Sequence, residues 1–434
     1  MGSFEHPLPG AAAIADLPAI EAFGGLHGRD AFRATCRALF ARPDVPLART
    51  AEGQLAVFRQ AHLRALAVRP EAGNTPPDIL AKGSFDAVRD PIAAPPGAGA
   101  ALMRVLAGQV FFMNAPLHDP ARAILTRQLS PRAAQAMEPM ADEIIAGLLG
   151  DLAQAGTIDF VHDFAEPLAT RFWGRLVGMD GVEQAAMLGL VRALGAFLFR
   201  DPSPEELYVV DTAAAGYAEI VERAARRALA AARPLVTQMA ADLAGLDAVD
   251  DPAGAGVTPA DVGAFLAGNF IDGFHTSALG AANVVYSVLR HDGVMARLRR
   301  EPGLRNAAVF EGLRIEPPAL FFHRHALEDF AFEGVAIPRG ARITVCWAAG
   351  NLDPEAFPDP ETFRLDRSMR GASTFGGGAQ ICPGRLFVAM LAQRTLAAMI
   401  ESDLDFELDE AGCAWAERAS MAQLTAMPVR VRRR

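Results

Sequence analysis

Phe375-Gly376-Gly377-Gly378-Ala379-Gln380-Ile381-Cys382-Pro383-Gly384 is a glycine-rich loop that ends in a cysteine and opens a helical run over residues 385–400. Three successive glycines let the backbone turn tightly and approach a flat ligand where side chains would intrude. The loop delivers Cys382 to a helix start, where unpaired amides and the positive helix end favour a thiolate. Two plainer readings stand beside this one. A lone cysteine is most often a small buried apolar group, which suits Cys36, Cys346 and Cys413. A glycine turn before a helix also suits phosphate, but no Lys-Ser/Thr pair follows these glycines and no strand pattern feeds them. The loop needs support from the rest of the chain.

The chain has 434 residues, 51% of them apolar, so a large core is readily built. Proline and glycine are scattered, with no linker and no repeat of fixed period, which favours one domain over 1–434. Four widely spaced cysteines form neither a metal-ligand pair nor a disulfide framework. A net charge of -10 argues against nucleic acid as a partner. The basic end, residues 429–434, reads as a short solvated tail. The start MGSFEHPLPG carries no basic region followed by an apolar run, and no segment offers 18 uninterrupted apolar residues. A reduced, cytoplasmic, monomeric protein without a membrane anchor is expected.

Helical patterns dominate, as in residues 131–152, 212–243 and 258–291, the last opened by Thr258-Pro259 as cap and first-turn proline. Extended segments are few and short: 54–58, 329–332, 342–347 and 429–431. Turn signals such as Pro338-Arg339-Gly340 and Pro358-Asp359-Pro360 separate them. The pattern alone gives a mainly α fold with small peripheral β-sheets.

The cysteine loop resembles the signature of the cytochrome P-450 superfamily, Phe-Gly-x-Gly-x-basic-x-Cys-x-Gly. Phe375, Gly376, Gly378, Cys382 and Gly384 stand at its fixed positions, and Gln380 stands where a basic residue is usual. The resemblance implies a triangular α-rich fold of the soluble bacterial type, with haem b between two long helices and Cys382 as its axial ligand.

Glu311 and Arg314 share one helix face by their i,i+3 spacing, as many surface pairs do. The family's third partner falls on Arg367, which implies a structural triad beneath the haem loop. Pro116-Leu-His118-Asp-Pro-Ala-Arg122 is similar to the family's Pro-x-His-x-x-x-Arg. It implies that His118 and Arg122, together with Arg324, hold the haem propionates, while Gln380 replaces a fourth partner with a neutral donor.

Asp272-Gly273-Phe274-His275-Thr276-Ser277 stands where the family pattern reads Ala/Gly-Gly-x-Asp/Glu-Thr-Thr/Ser. By that resemblance Gly273 opens a groove for dioxygen and Thr276 hydrogen-bonds bound oxygen. Two positions depart from the pattern: His275 replaces the acid, and Asp272 replaces a small residue over the haem face. Asp272 is i,i+4 to Thr276 and shares its face. A structural role, proton delivery assisted by His275, an anchor for a substrate amine or hydroxyl, and an ester to the haem edge all stay open for it.

Helical spacing puts Phe265, Gly268 and Ile271 on or near that side. By the resemblance, Leu320, Phe321 and Phe322 occupy the strand before Arg324 that borders substrate in the family, and Phe197, Leu198 and Phe199 fall in its lid. These positions suggest a hydrophobic, medium-sized substrate. No flavin or nicotinamide motif is present, so the resemblance implies electrons from NAD(P)H through a reductase and an acidic ferredoxin. Arg127, Arg132, Arg370 and Arg385 would form the dock. Insertion of one oxygen atom from dioxygen is the implied reaction. A biosynthetic coupling, desaturation or ring closure, a peroxygenase, and a non-catalytic haem sensor are the alternatives. The Arg-x-x-Pro pattern of peroxygenases is missing here.

Overall fold

The computed structural model describes residues 11–20, 28–74, 99–195, 203–246, 261–417 and 420–434. Its axis is the 28-residue helix Val262–Leu289, capped by Asp261, whose side chain accepts from Ala264 N at 2.9 Å. Of its residues 22 are buried, so it has no solvent stripe and runs through the core. Thr258 and Pro259, expected as its cap and first turn, lie outside the described residues.

Helices Pro204–Ala230, Arg385–Glu401, Glu166–Val177 and Arg305–Ile315 pack around this axis. Two of the crossings depend on glycine. A Cβ at Gly280 would lie 2.7 Å from Val388 Cγ1, and one at Gly312 would lie 3.2 Å from Val284 Cα. The first crossing brings the helix that follows Cys382 against the central helix. The second does the same for the helix bearing Glu311 and Arg314.

The helix Pro131–Leu152 spans the expected residues, with Ser130 Oγ accepting from Ala133 N at 3.3 Å and proline at its first position. The pattern over 212–243 is two helices, Pro204–Ala230 and Pro234–Leu243. Pro234 pushes Arg233 into extended backbone, ψ 126°, and Ala232 turns left-handed at φ 51°. The helix therefore breaks.

The four expected extended segments are the strands Leu55–Val57, Phe330–Phe332, Arg342–Val345 and Pro428–Arg433. Trp347 instead opens the short helix Trp347–Asn351. Among the described residues the largest sheet has six strands, ordered Ala19–Ile20, Ala48–Thr50, Leu55–Val57, Arg342–Val345, Phe322–Ala326 and Ala72–Gly73. Ile343 pairs with Leu55 in parallel and with Arg324 in antiparallel register. Strand alternation sends Phe322 and Arg324 to one face and His323 and His325 to the other. The protein is mainly α with small sheets. Among the described residues no helix is long and apolar enough to cross a membrane.

Candidate active site

The cysteine loop needs glycine at two positions. Gly376 and Gly378 adopt φ of 75° and 63°, and a Cβ at Gly378 would overlap the carbonyl oxygen of Ala67. Cys382 N donates to Phe375 O and Gly376 N to Ser373 O, both at 2.9 Å, which closes the loop on itself. Phe375 packs against a cluster containing Val284, Leu313 and Leu365. The amide of Gly384 donates to the Cys382 sulfur. Even so, burial pushes the thiol up, and the Asp272 carboxylate adds to the rise. Gly384, Arg385 and Arg122 pull the other way. The helix-start preference for thiolate is therefore real but outweighed in the protein alone.

Beneath the loop, Arg314 Nε and Nη2 donate to Glu311 at 2.7 and 2.8 Å, with both side chains fully buried. Arg367 Nε donates to Glu311 Oε1 at 3.1 Å, and its other nitrogens reach the carbonyls of Pro358, Asp359 and Thr362. Arg314 Nη1 donates to Asn351 O at 2.7 Å. Asn351 in turn grips the loop: its Oδ1 accepts from Ser373 N at 2.7 Å, and its Nδ2 donates to Thr374 Oγ1 at 2.9 Å. A buried charge cluster is thereby tied through one asparagine to the start of the cysteine loop. Asn351, Ser373 and Thr374 had no signal in the sequence.

Further polar side chains lie in two places, Arg324 beside Asn74, and His118 and Arg122 beside the cysteine loop. Arg324 is buried and donates to Asn74 Oδ1. Burial depresses its guanidinium to about 10. Among the described residues no carboxylate forms an ion pair with it. His118 is buried, with Nδ1 2.7 Å from Asp119 Oδ1. Its Nε2 lies beside Gln380 without a hydrogen bond of good geometry. Arg122, one turn on, donates to Ile381 O and is electrostatically coupled to Cys382.

On the central helix, Asp272 and Thr276 are half-buried, and Thr276 Oγ1 donates to Asp272 O at 2.7 Å. Burial raises the Asp272 carboxyl to about 6, partly offset by a hydrogen bond from Gln109. Sequence reasoning missed Gln109, which is 163 residues away and in a stretch without periodicity. His275 is buried, its imidazole depressed to about 4 by burial, and it packs against Gly195. Gly273 faces Trp173, whose Cε2 would lie 2.9 Å from a Cβ there. That packing accounts for the glycine without reference to a dioxygen groove.

Three comparisons can be set beside this geometry. A family model for cytochrome P-450 matches residues 217–424. The chain is 27% identical to 6-deoxyerythronolide B hydroxylase from Saccharopolyspora erythraea, across 73% of this chain and 76% of that one. It is also 27% identical to the cytochrome P-450 monooxygenase PikC from Streptomyces venezuelae, across 73% and 74%. The solved structure of CalO2 superposes with a TM-score of 0.78 at 24% identity, covering 93% and 98% of the two chains. That of CxnD, an enzyme for C–S bond formation in chuangxinmycin biosynthesis, gives 0.77 at 21%, covering 96% and 98%. The chain belongs to the cytochrome P-450 superfamily.

A cytochrome P-450 holds haem, a flat anion with two propionates, and the polar groups here fit such a ligand. A buried guanidinium without a carboxylate and a buried imidazole nitrogen without a hydrogen bond are both costly unless a ligand completes them. Arg324, His118, Arg122 and the carboxamide of Gln380 would receive the propionates, and Cys382 the iron.

For this cytochrome P-450 several pocket expectations change. Gly268 is a helix-crossing glycine: a Cβ would lie 3.0 Å from Val105 O and 3.1 Å from Gly108 C. Leu320 and Phe321 belong to a packed cluster with Phe32 rather than to the pocket-facing strand, because that strand begins only at Phe322. Phe265 and Ile271 are buried in the main core. Phe322 stays half-buried against Phe111, ring centroids 5.4 Å apart. Phe197, Leu198 and Phe199 lie outside the described residues. Of the expected dock, Arg132 and Arg370 are exposed, Arg127 pairs with Asp242 at 2.9 Å, and Arg385 donates to Cys382 O.

Proposed function

We propose that this cytochrome P-450 monooxygenase is one domain over the whole chain that oxidises an apolar, medium-sized organic molecule. Its electrons come from NAD(P)H through a reductase and an iron–sulfur ferredoxin. The observation that carries the reading is Cys382 at the end of its glycine loop, with the Asp272 carboxylate of the central helix within electrostatic reach of its sulfur and Thr276 one turn further along that helix. Related enzymes act on substrates of suitable character: one is named a C-19 steroid 1alpha-hydroxylase, and a structural neighbour carries a hexadec-9Z-enoic acid ligated to acyl carrier protein.

Haem bound at Cys382 supplies the iron centre that activates dioxygen for insertion of one oxygen atom into a C–H or C=C bond. The chain's own residues do the rest. Arg324, His118 and Arg122 neutralise the propionates and set the ligand's orientation. The Glu311–Arg314–Arg367 cluster, acting through Asn351, keeps the cysteine loop rigid. Thr276 offers a hydroxyl lone pair while its proton is held by Asp272 O. Asp272, with its carboxyl near neutrality, gains and loses a proton at a carboxyl oxygen inside the site.

The test is reconstitution with a surrogate ferredoxin, its reductase and NAD(P)H, after screening apolar compounds for a Soret blue shift. Hits should consume NAD(P)H and yield products carrying one atom of isotopically heavy dioxygen. Products whose new oxygen comes from water, or hits confined to hydrophilic compounds, would overturn the proposal.

A further inference from the structure

The edge strand Ala72–Gly73 pairs with Phe322–Ala326 in antiparallel register, Ala72 opposite Ala326 and Gly73 opposite His325. Carried one residue further, that register sets Asn74 opposite Arg324 and on the same face. Asn74 Oδ1 accepts from Arg324 Nη1, and only 1% of Asn74 is exposed. The other end of the amide is also taken: Asn74 Nδ2 donates to Met113 O at 2.6 Å. Asn114 clamps the backbone of the same residue. Its Oδ1 accepts from Asn74 N at 2.8 Å, and its Nδ2 donates to Asn74 O at 3.2 Å. A Cβ at Gly73 would lie 2.6 Å from Asn114 Oδ1, so glycine there is what lets the clamp close.

The clamp also reaches the other polar group. Asn114 O accepts from His118 N at 2.9 Å, at the start of the helix His118–Gln128 that bears Arg122. From the same segment, the ring of Phe111 has its centroid 5.9 Å from Arg324 Cζ. The guanidinium therefore sits between an amide and an aromatic face. Among the described residues Asn74 is its only hydrogen-bond partner, which leaves further N–H groups for a ligand.

We propose that Asn74, clamped by Asn114, is a positioning residue for haem: it aims Arg324 at a propionate and ties it to the segment bearing His118 and Arg122. This inference rests on the reading of Arg324 as a propionate ligand. A neutral acceptor suits the task. A carboxylate at residue 74 would hold the guanidinium as firmly, but it would cancel the charge that a propionate needs. The amide oxygen orients the cation and leaves that charge in place.

The experiment follows transfer of haem from the loaded ferric protein to a scavenger apoglobin, together with the propionate bending band in the resonance Raman spectrum. Asn74→Ala removes the contact with Arg324 but keeps the backbone groups that Asn114 holds. It should speed transfer about tenfold, the worth of one hydrogen bond, and shift the band. In an Arg324→Leu background the same substitution should change neither, because the group it acts through is gone. Asn114→Ala should move rate and band in the same directions as Asn74→Ala. Asn74→Asp, which keeps the acceptor and nearly the shape, should also speed transfer, because its charge competes with the propionate. Equal acceleration by Asn74→Ala in both backgrounds would mean a merely structural role and overturns the inference. Transfer at the wild-type rate in any of the three variants overturns it too. Unchanged transfer in Arg324→Leu alone refutes the propionate reading itself, and the positioning role falls with it.

Discussion

Trp173 occupies the volume that a side chain at Gly273 would need: a Cβ there would come within 2.9 Å of the indole Cε2, while the indole Nε1 donates to Ser277 Oγ at 2.9 Å. The indole is therefore anchored and cannot swing aside cheaply. Gly273→Ala gains about 1 kcal/mol of helix propensity. It should lose about 1–3 kcal/mol to overpacking. Net destabilisation is expected by denaturant unfolding. In a Trp173→Leu background the same substitution should become neutral or stabilising. Equal effects in both backgrounds would mean that the glycine is there for another reason.

The Glu311 cluster predicts an order of costs. Glu311→Gln removes the carboxylate held between two guanidiniums, with Arg314 fully buried, and should cost about 3–5 kcal/mol. Arg367→Met leaves Glu311 still held by Arg314 and by Arg364 N at 3.0 Å. It should cost less, about 1–3 kcal/mol. Haem retention should fall in the same order, because the cluster reaches the cysteine loop through Asn351. A milder effect for Glu311→Gln than for Arg367→Met contradicts this account.

What could be read from the chain follows from sequence distance. The glycine turn, Cys382 and the i,i+3 pair Glu311–Arg314 are local patterns whose chemistry shows within ten residues. The tie through Asn351 joins segments far apart in the chain, and a single polar residue in a non-periodic stretch carries no sign of its partner. Spacing along a helix also says which residues share a face but not what covers it. That is why the close contacts of Gly268 with Val105 and Gly108, and of Gly273 with Trp173, had no sign in the sequence. The break at Pro234 escapes the reading of 212–243 as one run, although its signal is local: a proline inside a long periodic run ends the helix just before itself. Strands of two or three residues, such as Ala19–Ile20 and Ala72–Gly73, are too short to show alternation.

Arg324 should affect the protein with opposite signs in its two states. Without a propionate it is a buried cation whose charge burial disfavours, so Arg324→Leu should leave the haem-free protein as stable as before or more stable. With haem bound, the same change removes a charge-assisted hydrogen bond worth about 1.5–3 kcal/mol, which is roughly a ten- to hundredfold loss of affinity. Thermal unfolding of the haem-free form, and transfer of haem to a scavenger globin from the loaded form, would separate the two. Unchanged haem transfer would remove Arg324 from the propionate site.

Asp272 and His275 should also tilt stability against pH in opposite directions. The folded Asp272 carboxyl sits at about 6, above its ordinary 3.8, so its neutral form suits the fold. Its contribution is fully present below 3.8 and is lost as pH rises through about 6. The folded His275 imidazole sits at about 4, below its ordinary 6.5. Its contribution is fully present above 6.5 and is lost as pH falls towards about 4. Each full shift corresponds to at most about 3 kcal/mol. Relative to wild type, Asp272→Asn should therefore gain stability as pH rises from 3.8 to about 6, while His275→Leu should gain as pH falls across nearly the same interval, from 6.5 to about 4. Denaturant unfolding at the two ends of that interval measures both. Curves running parallel to wild type for either variant would show that burial does not shift that group as described.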